Sequence, residues 1–221
     1  MADTIRRTFD SQLSDLRNQL YIMSAVVREE FDLGFRALVD RDPDSVEAVY
    51  AIDEEMHSKR SEIEQGCFTL LSRQQPVAHD LRRIIVYYNV ALDLERMGQQ
   101  AKGLARSSDR VMDKPPCPLP HGLALMHDKA RHMHDATFSA WEQGDLNQID
   151  RVIADDDEVD ELDRTVKEEL FRRMAETSDE SLIATLYEYI RATREVERFA
   201  DLVCMVARDV QEYTRTVNFA Q

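Results

Sequence analysis

The chain has 221 residues, with 28 Lys plus Arg against 43 Asp plus Glu, and its formal net charge at pH 7 is −15. Such a charge argues against nucleic acid as a partner, because a phosphate backbone would be repelled, and favours divalent cations and basic protein surfaces. Three cysteines without a CxxC pair indicate reduced thiols in a cytosolic protein.

Six long helices are predicted in chain order, because apolar residues recur at steps of three and four and helix breakers are few. Their approximate ranges are 4–41, 44–72, 76–108, 123–142, 146–175 and 180–216. Asp44 is predicted to be the N-cap of the second helix. Four of the six prolines lie between residues 115 and 120, so 109–122 cannot be continuous helix and are predicted to be an interdomain linker.

The residues on either side of this linker repeat, which indicates an internal duplication. Three pairs of matching positions carry the repeat: Arg41-Asp42 with Gly144-Asp145, Asp53 with Asp156, and Glu95 with Glu197. The first two pairs are 103 residues apart and the third is 102 apart. We therefore predict an all-α protein of two tandem three-helix bundles, with repeats at 1–108 and 123–221 joined by the linker at 109–122.

Two pairs of carboxylates in the second repeat are candidate metal ligands. Asp156 and Asp160 on helix five, and Glu197 and Asp201 on helix six, are each four residues apart and so share one helical face. Asp160 lies 18 residues before the turn at Ser178 and Glu197 lies 19 after it, which places the two pairs level in an antiparallel hairpin. Four converging carboxylates suit hard or borderline cations, although a solvated acidic face is the alternative interpretation.

The first repeat has the same spacing with different side chains. The equivalent positions hold Asp53, His57, Glu95 and Gln99. His57 can ligate a metal and Gln99 is a weak neutral ligand, so this groove has lost two negative charges. We expect it to bind cations more weakly than the second groove, or to favour zinc or iron, which accept imidazole.

Several runs of residues resemble the PhoU family of bacterial phosphate-signalling regulators, over essentially the whole chain. They are Gln74-Gln75-Pro76-Val77-Ala78-His79-Asp80-Leu81-Arg82, Asp93-Leu94-Glu95-Arg96-Met97-Gly98, residues 156–162 and residues 197–201. The resemblance implies two bundles related by pseudo-twofold symmetry, with metal clusters on the E/D-x-x-x-D faces. Asp53, Glu95 and all four carboxylates of the second repeat match the family's ligand positions. His57 and Gln99 depart from them, since the family usually has Asp there.

The same resemblance implies a cytoplasmic negative regulator of the phosphate regulon that is not an enzyme. Such a protein couples a phosphate ABC transporter to a sensor histidine kinase, and is peripheral to the membrane through these partners. The resemblance also allows a homodimeric assembly. The implied cofactor is a divalent or trivalent ion, with iron, zinc, manganese, magnesium and calcium all left open. The apolar stretch Ile84–Leu92 has nine residues, too few for a spanning helix, which needs roughly twenty.

Two other classes of protein are compatible with the same carboxylates. A metal-storing or metal-buffering helical protein would need many acidic sites. A metal-dependent hydrolase would need an open metal position beside a polarising group, for which Arg194 or Arg198 is the candidate. The sequence contains no usual arrangement for nucleophilic catalysis, no P-loop and no dinucleotide fingerprint.

Overall fold

Helices make up nearly all of the described chain. The computed structural model describes residues 2–74, 76 and 78–219, and no strand occurs among them. The six helices are α1 (Ala2–Asp40), α2 (Pro43–Gln74), α3 (Ala78–Val111), α4 (His121–Gln143), α5 (Leu146–Ala175) and α6 (Glu180–Phe219). The prediction of an all-α fold with two three-helix bundles is confirmed.

The turns that precede α2 and α5 show the duplication in their backbone conformation. Gly144 has φ of +69° and Arg41, at the equivalent position, has φ of +53°. Both residues therefore adopt the left-handed conformation that commonly ends a helix. Glycine enters this region without steric cost, whereas arginine does so against its intrinsic preference.

An aspartate follows each of these residues and caps the next helix. The Asp145 carboxylate accepts hydrogen bonds from backbone N–H groups in the first turn of α5. Asp42 does the same for α2, since its Oδ1 lies 3.2 Å from the backbone N of Asp44. The prediction that Asp44 is the cap is wrong, because Pro43 is already the first helical residue and needs no partner for a backbone N–H.

The proline-rich segment between the repeats contains no helix from residue 112 to residue 120. Side chains from both repeats donate hydrogen bonds to its backbone carbonyl groups. Arg41 donates to the carbonyl oxygen of Lys114, and Tyr189 donates to that of Cys117 at 2.8 Å. The division of the chain into two domains at this segment stays a prediction.

The two bundles share a single hydrophobic core that runs across all six helices. At its centre the rings of Phe31 on α1 and Phe199 on α6 stack with their centroids 3.7 Å apart. Burial of such aromatic pairs contributes strongly to stability, so the two repeats stabilise each other.

Helices α3 and α6 form the antiparallel seam between the repeats. Arg82 near the start of α3 bonds Glu212 near the end of α6, at 2.6 Å. Arg110 near the end of α3 lies 3.4 Å from Glu188 near the start of α6. In the part of the chain that the structure describes, none of the helices combines the length and the apolar character that a bilayer crossing requires.

Candidate metal-binding grooves

The four carboxylates predicted for the second repeat come together in the groove between α5 and α6. Burial raises the pKa of Asp156, Asp160 and Glu197, and the negative charge of Asp201 raises each of them further. The pKa of Glu197 reaches about 6. Mutual electrostatic repulsion of this kind shows that the four side chains share one groove.

A fifth carboxylate, which sequence reasoning missed, belongs to the same groove. The charge of Asp163 raises the pKa of both Asp160 and Glu197. Its Oδ2 accepts a hydrogen bond from Lys167 at 2.7 Å, while its Oδ1 is buried without a hydrogen-bond partner among the described residues. Helical spacing would have found it, since Asp163 lies seven residues after Asp156 and three after Asp160, on the same face of α5.

The composition of this second groove fits a hard cation. Five carboxylates face it, while Lys167 is in electrostatic range of Asp160 and Glu197, and Arg208 is in range of Asp156. The negative charges thus outnumber the positive ones, and a buried carboxylate oxygen without a hydrogen-bond partner among the described residues is a natural ligand. The side chains do not form a preassembled cage, since no three His, Cys, Asp or Glu residues of the described chain are arranged to hold a metal ion. The carboxylate side chains would therefore have to move closer together to coordinate an ion.

The first groove, between α2 and α3, is occupied by side chains of its own. His57 Nδ1 lies 2.7 Å from Glu95 Oε1, and Arg60 Nε lies 3.1 Å from Glu95 Oε2. Glu95 is thus paired with a guanidinium. A metal ion would have to displace this built-in cation to reach the carboxylate.

The other carboxylate of the first groove is paired in the same way. Asp53 accepts a hydrogen bond from Gln99 Nε2 at 3.2 Å through Oδ1, and its Oδ2 contacts the ammonium of Lys102. That ammonium also lies 5.8 Å from the ring centroid of Tyr50. The four residues predicted for this weaker site thus meet as two separate pairs, each with a cation that sequence reasoning missed, and they do not fit a metal ion.

The two grooves differ through substitutions at equivalent positions. Arg60 of the first groove corresponds to Asp163, and Lys102 corresponds to Cys204. Cys204 is buried, and burial together with the charge of Asp156 raises its pKa to about 12, so it carries no charge near neutral pH. Two cations in the first repeat are therefore replaced by one carboxylate and one neutral thiol in the second.

A buried glutamate lies behind the first groove. Glu30 on α1 is fully buried, and neither carboxylate oxygen has a hydrogen-bond partner among the described residues. Burial raises its pKa to about 8, with a further increase from the charge of Asp53 and a decrease from Lys102. Gly98 on α3 makes room for it, because a Cβ there would lie 2.9 Å from Glu30 Oε2. Glu30 is therefore protonated at neutral pH.

Arg194 and Arg198, the candidates for a polarising role in a hydrolase, act on a carboxylate outside the second groove. Both interact electrostatically with Glu195. Glu195 lies two residues before Glu197, so the two side chains point about 200° apart around the axis of α6. The carboxylate on which these arginines act thus lies on another side of α6, and the polarising role suggested for them stays a prediction.

Comparison with known proteins places both repeats in one family. The sequence model of the PhoU domain matches residues 20–108 and again residues 123–210. The phosphate-specific transport system accessory protein PhoU homolog of Pseudomonas aeruginosa is 29% identical over 199 residues, which cover 89% of this chain and 81% of that protein. The accessory protein PhoU of Escherichia coli K12 is 23% identical over 215 residues, which cover 96% and 87%.

Solved structures agree with this assignment. The crystal structure of PhoU from Pseudomonas aeruginosa superposes with a TM-score of 0.87 at 28% identity and covers 94% of this chain and 99% of its own. The phosphate transport system regulatory protein PhoU from Streptococcus pneumoniae gives a TM-score of 0.84 at 22% identity, covering 93% and 96%, which supports the fold alone.

Proposed function

The chain belongs to the PhoU family, and from this premise we propose that it is an accessory and regulatory protein of phosphate transport. The observation that carries the proposal is the match of the PhoU domain to both repeats. Relatives named as accessory proteins of phosphate-specific transport systems align with most of the chain, which supports the same role.

Within that role, the protein represses the phosphate regulon by coupling a phosphate ABC transporter to a sensor histidine kinase. It works through protein contacts in the cytoplasm, without catalysis, and a homodimer is its proposed assembly. The net charge of −15 supports attachment to membranes through protein partners, because anionic lipid would repel the chain. Binding to bare anionic vesicles would contradict this route of attachment.

Metal binding is part of the proposal and is assigned to the second groove alone. Asp156, Asp160, Glu197 and Asp201 would hold the ion, and Asp163 would add a fifth oxygen ligand. The bound cation would supply positive charge that offsets the repulsion among these carboxylates, and so would stabilise the hairpin of α5 and α6. The first groove needs no such ion, because Arg60 and Lys102 already neutralise it.

A storage or buffering role is disfavoured by this difference between the grooves. Storage would require many sites per chain, but the carboxylates of the first groove are already paired with Arg60 and Lys102. A hydrolytic role is disfavoured because Arg194 and Arg198 interact with Glu195, which lies on another side of α6 from Glu197.

The regulatory role is tested by deleting the gene in the organism that encodes it. Alkaline phosphatase activity and phosphate uptake are then measured at high phosphate, with the wild-type gene returned as the control. We expect both to rise on deletion and to fall again on complementation. Unchanged values in the deletion strain would refute the role in phosphate regulation.

A further inference from the structure

The two flanks of the α3–α6 seam are related by the repeat but carry different charges. On one flank a cleft is lined by Asn89, Asp93, Arg96, Met205, Arg208 and Asp209. The internal repeat gives the equivalent positions on the other flank. They are found by adding 102 to a residue number on α3 and by subtracting 102 from a residue number on α6. They are Arg191, Glu195, Arg198, Gly103, Arg106 and Ser107.

The flank that contains Arg191 and Arg198 is strongly basic, whereas the flank that contains Asp93 and Asp209 has equal numbers of positive and negative charges. The first flank sets Arg96 and Arg208 against Asp93 and Asp209. On the second flank Glu195 is the one carboxylate at these positions, and four arginines act on it. These four residues form what we call the arginine surface: Arg106, Arg191, Arg194 and Arg198. An excess of three positive charges therefore lies within a protein of net charge −15.

The geometry of the seam keeps these charges at the surface. Glu195 lies against the backbone of α3, since a Cβ on Gly103 would fall 2.6 Å from its Cδ atom. Its half-buried carboxylate thus packs against α3, within electrostatic range of the four arginines. Arg106, Arg194 and Arg198 are exposed. Among the residues that the structure describes, Arg191 is the one arginine of the four that forms an ion pair, with Glu188 at 3.7 Å.

We propose that the arginine surface docks an acidic segment of a partner protein. Guanidinium groups bind carboxylates in a bidentate manner, so a row of them favours a ligand that carries several carboxylates. Arg191, Arg194 and Arg198 follow α6 at steps of about one turn and span roughly 10 Å, which exceeds the size of one small anion. The acidic remainder of the protein repels such a segment, which directs it to this surface.

This surface goes beyond the proposed regulatory role and does not depend on it. It uses neither the metal groove nor any property of a transporter. Its test therefore needs only the full-length protein and a defined acidic peptide, and it can fail or succeed whether or not the chain regulates phosphate uptake.

The test measures binding of a fluorescently labelled peptide of ten glutamates by anisotropy at low and moderate salt. We expect saturable binding that weakens as salt rises, and a loss of at least tenfold in affinity for the double variant Arg106→Gln with Arg198→Gln. The matched control is Arg208→Gln with Arg96→Gln, which removes the two equivalent arginines of the other flank and should keep affinity within twofold. Circular dichroism establishes that both variants are folded.

Four results would overturn the proposal. The first is no measurable peptide binding by the wild-type protein, and the second is an equal loss of affinity in both double variants. The third is self-association: if sedimentation shows a dimer that the Arg106→Gln with Arg198→Gln variant cannot form, a second copy of this chain is the occupant. Millimolar inorganic phosphate that abolishes peptide binding at constant ionic strength would instead identify a small-anion site, and would also refute the docking of a protein segment.

Discussion

Lys102 and Cys204 occupy equivalent positions in the two repeats, and each lies beside the first aspartate of its groove. Lys102 places its ammonium on Asp53, whereas Cys204 lies buried beside Asp156. The same helical scaffold therefore presents one groove whose first aspartate is paired with an ammonium and another whose first aspartate lies beside a neutral thiol. The chemical difference between the repeats follows from single side chains and not from a change of fold.

Removal of the ammonium in the first groove should destabilise the protein. The variant Lys102→Met keeps most of the apolar stem but leaves Asp53, which is mostly buried, without its cation. We expect a loss of about 1–3 kcal/mol in the free energy of unfolding, measured by urea denaturation at pH 7. The control is Lys59→Met, which removes the more exposed pair with Glu55 and should cost less than about 1 kcal/mol. Equal losses in the two variants would contradict a special role for Lys102.

The buried carboxyl of Glu30 should make stability depend on pH. Its pKa rises from 4.5 to about 8 on folding, so between these values the folded protein keeps a proton that the unfolded chain has released. Stability attributable to Glu30 is therefore present below pH 4.5 and is lost as pH rises towards 8, by on the order of 5 kcal/mol.

The variant Glu30→Gln tests this dependence because it keeps the shape but cannot ionise. Relative to the wild type, it should gain stability between pH 5.5 and pH 8.5, as measured by urea denaturation at both values. The exposed neighbour Glu29 supplies the control, since Glu29→Gln should shift stability equally at both pH values. A constant difference between Glu30→Gln and the wild type would mean that Glu30 is already ionised at pH 5.5.

Sequence reasoning located the second groove because its ligands obey simple helical spacing. Asp156 with Asp160, and Glu197 with Asp201, are one helical turn apart, and the length of the hairpin set them level. The resemblance to a known family pointed to the same residues. Both sources depend on positions along single helices, which the sequence displays directly.

The features that sequence reasoning missed depend on contacts between helices. Arg60 lies three residues after His57 on α2, and Lys102 lies seven residues after Glu95 on α3. Only the packing of α2 against α3 shows that they reach Glu95 and Asp53. Glu30 belongs to an acidic pair that would suit an exposed helix face. Its burial follows from the close approach of α1 to α3 at Gly98.

Cation binding in the second groove should weaken on acidification. The pKa of Glu197 is about 6, so protons compete with a cation for this carboxylate as pH falls through that value. Calorimetric titration with Mn²⁺ should give tighter binding at pH 7.5 than at pH 5. In Glu197→Gln this pH dependence should shrink, together with the affinity at pH 7.5. An affinity that is the same at both pH values in the wild type would contradict the participation of Glu197.

The shared core should make the two repeats unfold together. Phe199→Ala removes the ring that stacks on Phe31 and should cost about 3–5 kcal/mol. Because the core is continuous between the bundles, chemical denaturation should still show one transition by both circular dichroism and tryptophan fluorescence. The fluorescence signal comes from Trp141 in the second repeat. Two separated transitions would show that the bundles are independent folding units.

The most direct test of the difference between the grooves is the amount of metal bound per chain. The full-length protein, Asp201→Asn and Gln99→Ala are each incubated with Mn²⁺ or Fe²⁺, freed of excess ion and analysed by mass spectrometry of the elements, with melting temperature as a second measurement. Metal content and metal-dependent stabilisation should fall in Asp201→Asn and stay at the wild-type level in Gln99→Ala. Loss of metal mainly in Gln99→Ala would place the ion in the first groove and contradict the assignment.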